Sequence, residues 1–144
     1  MNYDAYVTPY HYFKFSEFLV SDSHPEMAER MTLSDDEMDR IRFWVGMIGD
    51  PWRIAHPDSR VTILSGKRSL ELNEAVGGVP TSDHVSAMAV DSVASGMTAK
   101  QYFCSIADMG LPYRQLILYP KENFVHSSIN CPCKAVKHQS IIKA

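Results

Sequence analysis

The clearest periodicity in the chain lies in "TLSDDEMDRIRFWVGMIGDPW", residues 32–52. Met38, Ile41, Val45 and Ile48 recur at spacings of three and four, one face of a helix. Ser34 can cap that helix, and Asp35, Asp36 and Glu37 stand where the helix dipole favours anions. Gly49 and Pro51 are expected to end it. Ser16 is a candidate cap for a shorter helix in "KFSEFLVSDSHPEMAERM". "RSLELNEAVGG" reads as a short helix finished by Gly77-Gly78, and "TAKQYFCSIADMG" as a helix from the cap Thr98 to Gly110.

Between these segments the pattern changes to short apolar runs. "RVTILSG" reads as a buried strand stopped by Ser65-Gly66. "SAMAVDSV" is small, apolar and mildly alternating, a second strand. "RQLILYP" and "NFVHSSI" are two more, and the link "PKE" suits a hairpin turn. Strands separated both by helices and by a hairpin predict an α+β domain. Residues 1–12, rich in Tyr and carrying Pro9, read as an N-terminal arm. The domain is expected over 13–130, followed by a basic, weakly patterned tail over 131–144.

Composition narrows the classes. A chain of 144 residues accommodates one domain with a core. Hydrophobic residues at 45% and charged residues at 22% are ordinary for a globular protein. A net charge of −3 gives no case for nucleic acid or an anionic membrane surface as partner. No apolar run approaches the roughly 18 residues of a membrane span. The opening "MNYDAYVTPYHYF" has neither a basic nor an apolar leader region, so no secretory signal is expected. Cys104, Cys131 and Cys133 are odd in number, which favours a reduced compartment over a disulfide scaffold. The C-x-C pair lacks the paired knuckles of a structural zinc site and reads as ordinary thiols.

The candidate chemistry sits in "GGVPTSDHVSAMAVDS", residues 77–92. His84 stands where a polar loop enters a strand. Asp91 would put a carboxylate into an apolar strand, which is costly unless it is paired or metal-bound. His126 falls in the middle of the last expected strand. If 86–92 and 123–129 lie side by side, the three groups can converge. Two imidazoles and a carboxylate suit a catalytic zinc, which takes three protein ligands and keeps one position open. Singly, each residue also reads as a loop histidine, a core histidine and a capping carboxylate.

"SDHVSAMAVD" resembles the Ser-x-His-x-x-Gly-x-Ala-x-Asp motif of the M15 zinc peptidases. That family includes D-alanyl-D-alanine carboxypeptidases, D-Ala-D-Ala dipeptidases and bacteriophage L-alanyl-D-glutamate endolysins. "ILSGKRSLELNEAVGG" resembles the family's Ser-Gly-Tyr-Arg-Ser…Leu-Asn…Val-Gly-Gly segment, and "QLILYPKENFVHSSI" the strand with its last His. "FKFSEFLVSDSH" is similar to the opening of the phage and bacterial branch. The likeness spans about residues 13–129.

The resemblance implies a hedgehog/DD-peptidase-like zinc fold, a small antiparallel sheet flanked by helices. It implies one zinc ion held by His84, Asp91 and His126. It makes Ser82 a substrate contact and Arg68 the group that stabilises the developing oxyanion, a role suited to a permanent, doubly donating cation. Glu122 becomes the base that takes a proton from the attacking water, with Asp83 as a second source of a carboxylate. The chain departs from the motif at three places. Lys67 replaces the Tyr of Gly-Tyr-Arg. Ala87 replaces the Gly of His-x-x-Gly, a change tolerated where φ is negative. Asn123 occupies the usual position of the catalytic Glu, three before the last His, leaving Glu122 one residue further back.

The activity implied is hydrolysis of peptidoglycan peptides by a phage-type endolysin or a cell-wall carboxypeptidase. The protein is expected to be a monomer, made in the bacterial cytoplasm of an infected host or carried in a virion, and to act on the wall. The alternatives are a zinc-stabilised structural or binding module without catalysis, and a metal-free globular domain.

Overall fold

A computed structural model describes residues 3–131 and 134–144. Cys133, half of the C-x-C pair, lies outside the described residues. Cys104 is exposed and Cys131 half-buried.

Helix α1 is Pro25–Glu29 and α2 is Asp35–Trp44. At the start of α2 the Glu37 N–H donates to Ser34 Oγ at 3.2 Å, and the Ser34 N–H donates to the Glu37 carboxylate at 2.9 Å. This reciprocal pair satisfies two amides that the helix leaves open.

Two sequence expectations fail here. Gly49 and Pro51 do not end the helical segment. A π turn over Val45–Gly49 carries it into α3, Asp50–Ala55, with Pro51 in the first turn. The wider turn relieves the clash of a proline ring with the carbonyl four residues back. Gly49 is needed for packing instead, because a Cβ there would lie 2.8 Å from both Phe13 and Trp44. Nor does Ser16 cap a helix. It lies inside a single 3-10 turn, Phe15–Phe18, whose cap position is Lys14.

The strands are β1 Val61–Ser65, β2 Ala89–Ala94, β3 Tyr113–Tyr119, β4 Phe124–Ile129 and β5 Gln139–Ile142. Helix α4, Leu70–Ala75, is capped by Ser69, and α5, Ala99–Asp108, by Thr98. The sheet order is β1-β2-β4-β3-β5. The first four strands pair antiparallel, and β5 adds parallel to β3. The architecture is α+β, and the weakly patterned tail supplies its fifth strand.

The two sheet faces differ. Val90, Leu116, Leu118 and Val125 are buried with Ile41, Trp44, Ile48, Tyr102 and Ile106 of the helical layer. Two polar ties join the layers: Trp44 Nε1 donates to Ser127 Oγ at 3.0 Å, and Ser92 shares a hydrogen bond of 2.9 Å with the Tyr102 hydroxyl. Neighbours along a strand point to opposite faces. Asp91, His126 and Ile117, in register across β2, β4 and β3, therefore point away from the helices. No helix among the described residues is long and apolar enough to cross a membrane.

Candidate metal centre

His84, Asp91 and His126 converge on that second face. Asp91 and His126 are direct cross-strand partners. His84 arrives from the turn that precedes β2. Their ligand atoms lie within 4.8 Å of one another, the one such group of three or more His, Cys, Asp or Glu among the described residues. His84 and Asp91 are buried, and the His126 side chain is only 12% exposed.

The hydrogen bonds reveal what the group needs. His84 Nδ1 lies 2.7 Å from the Gly66 carbonyl, which only accepts, so Nδ1 carries a proton. In the neutral ring, Nε2 then presents a lone pair to Asp91 Oδ1 at 3.2 Å. Two acceptors at that distance repel unless a cation, a proton or a metal ion, joins them. His126 Nδ1 meets the same oxygen at 2.9 Å. Burial raises the Asp91 pKa, but the two histidines outweigh it and hold the carboxyl well below its usual range. Two imidazoles and a carboxylate, buried and already converged, fit a zinc ion.

Short-range structure around Gly66 and Gly78 positions the neighbours. A Cβ at Gly66 would lie 2.5 Å from the Phe18 carbonyl, so glycine lets the Gly66 carbonyl reach His84. Arg68 Nη2 lies 3.7 Å from Asp91 Oδ2, the carboxylate oxygen that the histidines leave open. Arg68 Nη1 donates to Asn73 Oδ1 at 3.3 Å, and Asn73 Nδ2 donates to the Val79 carbonyl at 2.8 Å. Gly78 makes this possible, since a Cβ there would come within 2.2 Å of Asn73 Oδ1. Burial lowers the Arg68 pKa, and Asp91 opposes that shift. Ser82 Oγ accepts from the His84 N–H at 3.2 Å and lines the cleft beside His126. The loop is further held by Arg40 of α2, whose Nη1 donates to the Ser86 carbonyl at 3.0 Å.

Lys67, in place of a tyrosine, has a structural role. It pairs with Glu37 at 3.0 Å and donates to the Thr32 carbonyl. The expectation for Ala87 is corrected. Its φ is +57, in the left-handed region where a Cβ is strained. The conformation that favours glycine is retained without the glycine.

Glu122 lies exposed in the β3–β4 turn, with no ion pair to any described residue. The Tyr119 hydroxyl pKa is raised by burial first, then by the charges of Asp91 and Glu122. Asn123, at φ +59, turns its side chain away from the centre and accepts from the Ala99 N–H at 3.1 Å.

The other carboxylate, Asp83, is buried in an ion cluster. Arg114 Nη1 and Lys134 Nζ each donate to it at 2.7 Å. Burial raises its pKa, and the hydrogen bond and charge of Lys134 with the charge of Arg114 bring it below the usual range. Sequence reasoning named Asp83 but neither cation. An Arg opening the apolar run "RQLILYP" was a signal, since a buried guanidinium needs a partner.

Fold and centre together define a metallopeptidase-type site, a metal-binding triad beside a guanidinium on an open sheet face. The family model described as Peptidase M15 matches residues 46–128, a stretch holding all three triad residues and Arg68. The chain belongs to the M15 peptidase family, whose members are zinc-dependent. No curated protein matches the chain.

Proposed function

We propose that the protein is a zinc-dependent peptidase hydrolysing peptides of bacterial peptidoglycan, as a phage-type endolysin or a cell-wall carboxypeptidase. The observation that carries this reading is the convergence of His84, Asp91 and His126 within 4.8 Å in a chain of this family. His84, Asp91 and His126 would hold a zinc ion, which when bound would supply Lewis acidity toward the scissile carbonyl and water. The Gly66 carbonyl holds His84 in the tautomer that offers Nε2. Arg68 donates to the oxygen on which charge develops. Ser82, on the cleft wall, contacts the peptide. Glu122, from the β3–β4 turn, takes the proton of the attacking water and passes it to the leaving amine. The protein acts as a monomer on the cell wall, after synthesis in a bacterial host.

The test is digestion of purified peptidoglycan with and without a chelator. New peptide termini that appear only without chelator support the reading, and their absence overturns it. The exposure of Glu122 favours a second reading, a zinc-stabilised module without catalysis. Glu122→Gln separates the two, because loss of hydrolysis with zinc retained supports the peptidase, whereas an unchanged function supports the module.

A further inference from the structure

The cleft of about 570 Å³ that His126 opens onto has a strongly biased lining. Arg114, Lys134 and Lys137 face it, and Asp83 is the one acidic residue among the described residues that line it. Asp83 is already satisfied by Arg114 and Lys134. The Arg114 Nη2 group makes no hydrogen bond among the described residues, its Nη1 being taken by Asp83 and its Nε by the Ala135 carbonyl. Lys137 is exposed, and its ammonium group has no partner among the described residues. The wall thus carries positive charge in excess of what it neutralises, next to a metal ligand.

Only part of this wall belongs to the matched segment, which includes Arg114. Lys134 and Lys137 follow the last matched residue, 128. They are held in place locally. Lys134 also donates to the Thr81 carbonyl at 2.6 Å, and the backbone of Lys137 exchanges two hydrogen bonds with the Asn130 side chain at 2.9 Å. Parallel pairing of β5 with β3 fixes the segment just beyond.

We propose that this cleft is a carboxylate subsite. Lys137 and Arg114, with Lys134 behind them, receive a free carboxylate of the substrate peptide on one side of the bond at the metal centre. The proposal rests on the peptidase reading for the identity of its ligand, a peptide, whose anionic groups are carboxylates. Charge-assisted hydrogen bonds to a cation of this kind are the stronger class of polar contact.

The test is calorimetric binding of an uncleavable ketomethylene analogue of a bacterial stem peptide to the full-length, zinc-loaded protein. Three forms are compared: both carboxylates free, the side-chain carboxylate amidated, and the C-terminal carboxylate amidated. One amidation is expected to weaken binding about tenfold, the equivalent of one charge-assisted hydrogen bond, and to identify which carboxylate is held. The loss is expected to shrink at high salt. Lys137→Met, an exposed change that leaves the Asp83 cluster intact, is expected to weaken the free acid about fivefold and the sensitive amide hardly at all. Equal binding of all three forms, or no binding of any, overturns the subsite. Peptidoglycan hydrolysis assayed alongside keeps the two readings apart, since its survival in that case would leave the peptidase reading standing.

Discussion

Asp83 and Asp91 are two buried carboxylates eight positions apart, and their surroundings give them opposite capacities. Asp83 is closed. Two permanent cations donate to its two oxygens, each at 2.7 Å. Asp91 is open. Its nearest partners are imidazoles at 2.9 and 3.2 Å, one of which has its proton committed to the Gly66 carbonyl. Both carboxyls have lowered pKa values despite burial. A lowered pKa therefore does not separate a metal ligand from a structural ion cluster. The identity of the partners does, because a neutral imidazole has a lone pair to share with a metal and a guanidinium has none.

The largest effect should come from breaking the open side. Asp91→Asn removes the one anionic charge of the proposed metal site, between two imidazoles. Loss of an outer partner typically costs 10–100-fold in metal affinity, so loss of this ligand should cost at least about 100-fold. Zinc content after gel filtration checks this, and stoichiometric zinc in the variant would exclude Asp91 as a ligand. The closed side should respond differently. Asp83→Asn leaves Arg114 and Lys134 without their anion, and breaking a buried pair costs about 3 kcal/mol. Denaturant unfolding should register that loss while zinc content stays at the wild-type level.

The link between the two carboxylates gives a smaller effect. The Met88 N–H donates to the Asp83 carbonyl at 2.9 Å and the Ala87 N–H to the His84 carbonyl at 3.1 Å, with Ala87 in the left-handed region. Ala87→Gly relieves that strain but loosens the unfolded chain. A net gain of roughly 0.5–1 kcal/mol in unfolding free energy is expected, with zinc binding retained.

Asp50 completes the comparison as a buried carboxylate with no cation partner among the described residues. Thr8 Oγ1 donates to its Oδ2 at 2.6 Å, while Oδ1 is buried without a hydrogen-bond partner among the described residues. Burial raises its pKa above 3.8, the reverse of the other two, with the Thr8 hydrogen bond opposing. The folded state thus holds the proton more tightly than the unfolded one. Stability falls as pH rises from the ordinary value through the raised one. Asp50→Asn should raise the unfolding free energy at pH 7 by an amount on the order of 1 kcal/mol, read as a higher thermal midpoint. The gain should vanish near pH 3, where both states are protonated. A gain that persists there would show that the ionised carboxylate is not the cause.

The legibility of these features tracks the range of the forces that make them. Ser34 and Thr98 cap helices through hydrogen bonds to the third residue on, and the spacing in the sequence shows them. The same local reasoning misplaced the end of the second helix. Whether Pro51 stops a helix depends on whether packing of Ile48, Gly49 and Trp52 makes a π turn worthwhile. The fifth strand was invisible for a related reason. "QSII" is too short to announce itself and forms because β3 offers an unpaired edge.

By itself, the sequence determined the alternation of helices and strands, the three ordered motif blocks, and the oddity of a carboxylate in "AMAVDSV". Those signals rest on covalent geometry and on contacts a few residues long. Only the tertiary structure decided that Asp91 faces His126, that Gly66 directs His84, that Ala87 stands at positive φ, and that Arg114 and Lys134 close around Asp83. A strand's side chains change face with a shift of one residue, so these meetings depend on register and loop closure across the whole sheet.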